Sequence, residues 1–227
     1  MPRPDTLLVV AKKPTPGQTK TRLCPPLAPG QAADLYTCFL QDTLETMRKV
    51  PGVQRGIVYL PEDAQDYFWQ LAPDMTLTCQ RGASLGERLD HLLSEALAGG
   101  SPRAVVMDSD SPTLPADYLV QAFERLAGAD VVLGPTQDGG YYLIGLKQPQ
   151  PHLLRQVQMS TPHVLADTLA LAEASGLVVS LLPSWYDVDT IDDLHQLHRE
   201  ITGSNINGHA AATRRWLAQT GWRGPQT

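Results

Sequence analysis

The sequence has little cysteine. Cys24, Cys38 and Cys79 are odd in number and scattered. That excludes a disulfide framework or a paired-cysteine zinc site and fits reduced thiols in a cytosol. No apolar run approaches the ~18 residues of a membrane-spanning helix, so no membrane partner is expected. The opening MPRPD leads into an apolar stretch too short, and too soon broken by lysines, for a signal peptide. Positive charge is also scarce. Lys and Arg number 18 against 24 Asp and Glu, giving a net charge of −6 and a pI near 5.4. Duplex binders show a basic face, so nucleic acid is not expected as a partner. There is no G-x-S-x-G, H-E-x-x-H, Walker loop or Rossmann glycine fingerprint. Internal repeats and low-complexity tracts are absent.

What is there suits one α/β domain, or at most two small ones. The chain has 227 residues, 42% of them hydrophobic, enough for a core. Leu7-Leu8-Val9-Val10-Ala11 is a continuous apolar run, as expected of a strand buried on both faces. Apolar spacing predicts helices over 31–49, 63–71, 85–97, 114–126, 161–174, 190–201 and 210–219. Pro115 is placed in the first turn of its helix, and Ser160 or Thr161 at the N-cap of the next. Strands are predicted over 7–11, 56–60, 75–79, 104–107, 130–133, 141–146 and 177–182. Residues 1–203 read as the domain and 204–227 as a helix and tail packed on it. Within that tail, 203–208 reads as a link and 224–227 as a frayed end. Strands and helices alternate in the first half, so the sheet should be mainly parallel, with ligands beyond its carboxyl edge.

Three separated segments read as one phosphate-and-metal site. Ala11 to Leu23 follows the first strand and carries Lys12, Gly17, Lys20 and Arg22 on a Pro/Gly loop. Lys20 offers a compact charge and Arg22 a fork for two phosphate oxygens. Asp108-Ser109-Asp110-Ser111-Pro112 ends another strand, where a carboxylate can hold Mg²⁺ or Mn²⁺. Asp187-Val188-Asp189-Thr190 lies late in the chain, with Asp187 and Asp189 placed to close on that cation. Each segment alone also has a plainer reading: a solvated basic loop, an Asp/Ser turn before Pro, and a helix cap.

Two glycine-bearing segments are added. Asp138-Gly139-Gly140-Tyr141-Tyr142 lets a ligand approach the backbone, with Asp138 orienting an acceptor hydroxyl, or is an ordinary hairpin turn. Gly82 to Arg88, with Ser84 and Gly86, opens a helix that can receive part of a nucleotide, or simply carries Ser84 as cap. His195 and His198 read as a solvated face.

Together these segments resemble the radical-SAM/selenodomain-associated transferase group, a GT-A-fold family also described as cofactor guanylyltransferase-like glycosyltransferases. The resemblance runs from about Leu7 to Ile201. It rests on Ala11-Lys12-x-Pro14-x-Pro16-Gly17-x-x-Lys20-Thr21-Arg22-Leu23, Leu85-Gly86-Glu87-Arg88, Asp110-x-Pro112-x-Leu114, Asp138 to Gly145, Ser160-Thr161 and Asp187-Val188-Asp189-Thr190. It implies a three-layer α/β/α nucleotide-diphospho-sugar transferase domain with a mainly parallel sheet. By the same analogy Asp110 holds the metal and Asp189 completes the site, while Ser160, Thr161, Gly139 and Gly140 fall on the acceptor side. Asp108 stands where a small residue is expected, making an Asp-Ser-Asp like the glycosyltransferase metal motif. Met159 stands where the family often has Trp.

The expected activity is a cytosolic, Mg²⁺- or Mn²⁺-dependent transfer from an activated nucleotide, an NTP or NDP-sugar, to a small phosphorylated or hydroxyl acceptor. Lys20 and Arg22 would stabilise the leaving phosphate. The basic loop leans towards nucleotidyl transfer and the Asp-Ser-Asp towards glycosyl transfer. A nucleotide-binding regulatory module without turnover is the alternative, and a monomer or homodimer is expected.

Overall fold

The apolar run at the start of the chain becomes the middle of a sheet. In a computed structural model that describes residues 3–203 and 209–222, β1 (Asp5–Lys12) pairs in parallel with β2 (Val53–Leu60) on one side and β4 (Ala104–Met107) on the other. The seven strands run in the order β3 (Thr76–Cys79), β2, β1, β4, β6 (Tyr141–Leu146), β5 (Val131–Pro135) and β7 (Val179–Leu181). β6 alone is antiparallel to its neighbours. The link expected through Gly208, apart from Gly203, and the chain from Gly224 onward fall outside the described residues.

Alternation along each strand sends neighbouring side chains to opposite faces, and this divides the core in two. Leu7, Val9 and Ile57 pack with α1 (Pro29–Arg48), α2 (Gln65–Leu71), α4 (Ala116–Arg125), α7 (Ile191–Thr202) and α8 (Ala211–Thr220). Leu8, Val58 and Val106 pack with α3 (Leu85–Ala98), α5 (Pro151–Arg155) and α6 (Val164–Ala174). The result is the expected three-layer α/β/α architecture with a mostly parallel sheet. Among the described residues no helix is long and apolar enough to cross a membrane. The three cysteines are free.

Register fixes where the chain can present chemistry. Val9 lies opposite Met107, and Met107 opposite Leu143. The loops after β1, β4 and β7, and the turn from β5 into the antiparallel β6, therefore all emerge at one edge.

The structure corrects three local expectations. Pro115 precedes α4 as its N-cap instead of lying in its first turn, because its ψ of 133 is extended. α6 starts at Val164 with His163 as N-cap, so Ser160 and Thr161 lie in the loop before it. α5 was not expected at all; five residues are too few for a periodic signal.

Gly86 shows how tightly α3 and α5 meet. A Cβ there would lie 2.0 Å from the carbonyl oxygen of Leu154. Gly86→Ala is expected to lose about 1–3 kcal/mol in urea denaturation through overpacking. Gly30→Ala, with open space around it in α1, should be neutral or stabilising by up to about 1 kcal/mol. Equal effects at the two positions would refute the packing argument.

Candidate active site

The loop after β1 turns its central lysine inward. Gly17 (φ +76) makes a left-handed turn, and the Thr15 amide donates to Thr19 Oγ1 at 3.0 Å. Lys20 itself has φ 50 and ψ 41, a left-handed conformation uncommon for a side chain of its size. It precedes the 3₁₀ turn Thr21–Leu23, which is anchored by the fully buried Leu23. The Lys20 side chain is only 7% exposed. Its Nζ lies 2.8 Å from Asp110 Oδ1 and 2.7 Å from Asp189 Oδ1. It also stands 5.9 Å from the Tyr36 ring centroid and 6.0 Å from that of Phe39, within cation–π range. Arg22 is mostly exposed, 3.6 Å from Asp189 Oδ2.

The two acidic segments meet through hydrogen bonds made by their own backbones. The Val188 amide donates to the Asp110 carbonyl at 2.9 Å. Ser111 Oγ donates to the Tyr186 carbonyl at 3.0 Å. The Asp110 amide donates to Asp108 Oδ1 at 3.2 Å, so Asp108 closes its own turn. Thr190 caps α7, accepting from the Asp193 amide, while Asp193 Oδ2 accepts from the Thr190 amide at 2.7 Å. The helix-cap reading of this segment thus holds for Thr190, with Asp193 as its partner.

Charge in this cluster is unevenly compensated. Burial would pull the Lys20 ammonium down, but Asp110 and Asp189 outweigh it and hold it above the ordinary lysine range. Burial would push the Asp189 carboxyl up, but Lys20 and Arg22 hold it below the usual range. Asp108 is pushed well up, by burial first and then by Asp110 and Asp187. Burial, with the charges of Asp138 and Asp189, raises Asp187 to about 6.

These residues wall a cleft with two adjoining lobes. The first, of about 460 Å³, has an apolar floor that includes Val106, Leu143 and Met159, with Asp138, Gly140, Ser160, Thr161 and Asp187 around it. The second, of about 410 Å³, is lined by Lys12, Lys20, Gln80 and Arg88. Arg22, Asp108, Asp110, Ser160 and Asp189 border both.

Four of the expected residues stand outside the lining, each with a local structural role. Gly17 turns its loop, and Gly86 packs on α5. Ser84 Oγ accepts from the Glu87 amide as the α3 cap. A Cβ on Gly139 would meet the Pro162 carbonyl oxygen at 2.0 Å. Asp138 lines the first lobe but also closes a turn, its Oδ1 accepting from Thr136 Oγ1 at 2.5 Å and the Gly140 amide at 3.1 Å. His195 stacks on Trp222 and takes no part in the cleft.

Sequence reasoning missed Tyr36. Its hydroxyl is 2.8 Å from Ser109 Oγ and accepts from the Lys12 amide at 3.3 Å, joining the loops after β1 and β4. The signal was a tyrosine on the buried face of a helix, whose hydroxyl must find a partner. Gln80 was missed because nothing around it in sequence marks it.

Residues 43–161 match the model of the family DUF2064, described as "Uncharacterized protein conserved in bacteria". The chain belongs to this family. This DUF2064 chain is 32% identical to a crystal structure from Desulfovibrio desulfuricans G20, described as a nucleotide-diphospho-sugar transferase. That match covers 96% of this chain and 95% of the other, with a TM-score of 0.89. Over 193 residues, 81% of each chain, it is 29% identical to 2-phospho-L-lactate guanylyltransferase of Methanothermobacter thermautotrophicus. The fold also matches 4-diphosphocytidyl-2C-methyl-D-erythritol synthase of Anaerococcus prevotii at 12% identity, covering 87% and 96% of the two chains, with a TM-score of 0.58. The chain is therefore a transferase-like protein of nucleotidyltransferase-like fold.

Asp187 gives a pH test. In the folded chain its carboxyl keeps the proton up to about pH 6, while an unfolded aspartate releases it near 3.8. Its stabilising contribution is present below the lower value and lost as pH rises through the upper. Asp187→Asn is therefore expected to exceed wild type by about 1–2 kcal/mol at neutral pH, discounted for solvent screening. Near pH 4 the two should coincide in urea denaturation; an equal advantage at both pH values would refute the shift.

Proposed function

We propose that this protein transfers a nucleotidyl group from an NTP to a hydroxyl-bearing acceptor, with a divalent cation shared between protein and phosphates. The observation that carries the reading is the buried Lys20 ammonium held by Asp110 and Asp189 where a basic lobe meets an acidic one. The basic lobe, with Lys12, Lys20, Arg22 and Arg88, suits the triphosphate. The acidic lobe suits a hydroxyl acceptor better than a phosphorylated one, because among the described residues Arg22 is its single basic lining residue. Guanine is the base to test first, since the relative named for its reaction is a guanylyltransferase.

The acceptor oxygen would form a bond to the α-phosphorus as the bond from that phosphorus to the pyrophosphate oxygen breaks. Negative charge then builds on the leaving pyrophosphate. Lys20 and Arg22 would stabilise it, and preorganised charge of this kind is worth roughly several kcal/mol. The acceptor proton would pass to a carboxylate of the acidic lobe. Asp187 and Asp138 both line that lobe and are the two candidates to take it.

The donor set fits the cation. Among the described residues no group of three or more His, Cys, Asp or Glu is arranged to hold a metal alone. Mg²⁺ needs less than that, commonly one or two carboxylates plus phosphates and water. Asp110 and Asp189 would hold it, and bound there it would neutralise phosphate charge. Asp108 is the weaker ligand candidate because its Oδ1 accepts from the Asp110 amide, which also weakens the glycosyltransferase-like reading of Asp-Ser-Asp. Glycosyl transfer stays as a second reading because the relative from Desulfovibrio is described as a nucleotide-diphospho-sugar transferase.

Thermal-shift panels of NTPs and NDP-sugars with Mn²⁺ distinguish the two. Stabilisation by an NTP, GTP first, is expected. Stabilisation confined to an NDP-sugar and its NDP would transfer the assignment to glycosyl transfer. In a pyrophosphate-release assay, Asp110→Ala and Asp189→Ala should each reduce turnover by about 100-fold or more while keeping native circular dichroism. Wild-type turnover in either variant would sink the site assignment.

A further inference from the structure

We infer that Lys20 holds the divalent cation's place in the ligand-free protein, so that the cleft rejects the free cation and admits it together with a nucleotide's phosphates. The inference rests on the cation-sharing site proposed above, and it concerns what Lys20 does before any chemistry.

The same Nζ sits within 2.8 Å of one carboxylate oxygen on Asp110 and one on Asp189. These are the two carboxylates a divalent ion would need. An ammonium already bridging them occupies their shared lone-pair directions, and a doubly charged ion arriving beside it meets a like charge at close range. For the ion to bind, the ammonium has to leave. It cannot leave alone, because an unpaired charge under the Tyr36 and Phe39 rings would be costly. Lys20 also lines the basic lobe beside Lys12, Arg22 and Arg88. A polyphosphate in that lobe would give the ammonium a new partner a short swing away, on a flexible four-carbon stem. Phosphate and cation therefore bind as a coupled pair, and the coupling is reciprocal.

The test uses the full chain in equilibrium dialysis, counting the excess of Mn²⁺ on the protein side. Wild type, Lys20→Met and Lys20→Gln are compared with Mn²⁺ alone and with Mn²⁺ plus inorganic tripolyphosphate. Wild type is expected to bind Mn²⁺ alone at least about tenfold more weakly than with tripolyphosphate. The variants, freed of the competing ammonium, should bind Mn²⁺ alone about tenfold more tightly than wild type and show little gain from tripolyphosphate. The glutamine variant keeps a polar group in the site should the methionine variant fail to fold. Equal wild-type binding of Mn²⁺ with and without tripolyphosphate overturns the inference. So does Mn²⁺ binding by a folded variant no tighter than wild type. Absence of Mn²⁺ from every form in both conditions removes the cation from the proposed function as well, which separates the two failures.

Discussion

The structure of the cleft depends on one buried ammonium. Taking a lysine charge out of water costs several kcal/mol unless partners replace the lost hydration. Lys20 finds two, contributed by segments 90 and 169 positions away in sequence. Each carboxylate in turn lies among others that would repel it. The loop after β1, the turn after β4 and the segment before α7 are thus held by mutual need. Tyr36 adds a neutral clasp, joining Lys12 and Ser109 across the same gap.

Topology makes this possible before any side chain acts. Parallel strands carry their following loops to one edge, and the single antiparallel strand brings its leading turn to that edge too. A chain with acidic and basic segments far apart can then gather them in one cleft. The gathering separates charge as well as concentrating it. Lys12, Lys20 and Arg88 line one lobe only, Asp138 and Asp187 the other only, and Arg22, Asp108, Asp110 and Asp189 stand between them.

Much of this was legible in the sequence where one physical signal dominated. The unbroken apolar run of β1 and the periodic leucines of α3 had no alternative but burial. Lys20, Asp110 and Asp189 could be named because their residue types and positions after strands are uncommon in combination. Their direct pairing could not, because a contact across 169 positions leaves no local trace. Gly86 and Ser84 looked like ligand groups and proved to be a packing contact and a cap. Sequence alone cannot distinguish a glycine that admits a ligand from one that admits a neighbouring helix. α5 was invisible for want of length, and the start of α6 was misread because Ser160 and Thr161 have the chemistry of a cap while the N-cap position falls to His163, which makes no side-chain cap bond.

The packing of α8 on α1 bears on how the chain is made. The amides of Ala212 and Thr213, at the start of α8, each donate at 2.9 Å to the buried carboxylate of Asp42 on α1. Trp216 and Leu217 lie in the same core as Phe39 and Leu40. α1 is thus covered by a helix made 170 positions after it. At ordinary elongation rates its outer face stays wet for on the order of ten seconds. Asp42 suits such a wait. As a solvated carboxylate it keeps that face from presenting a continuous greasy surface to neighbouring chains, and it becomes a buried cap only once α8 has been made.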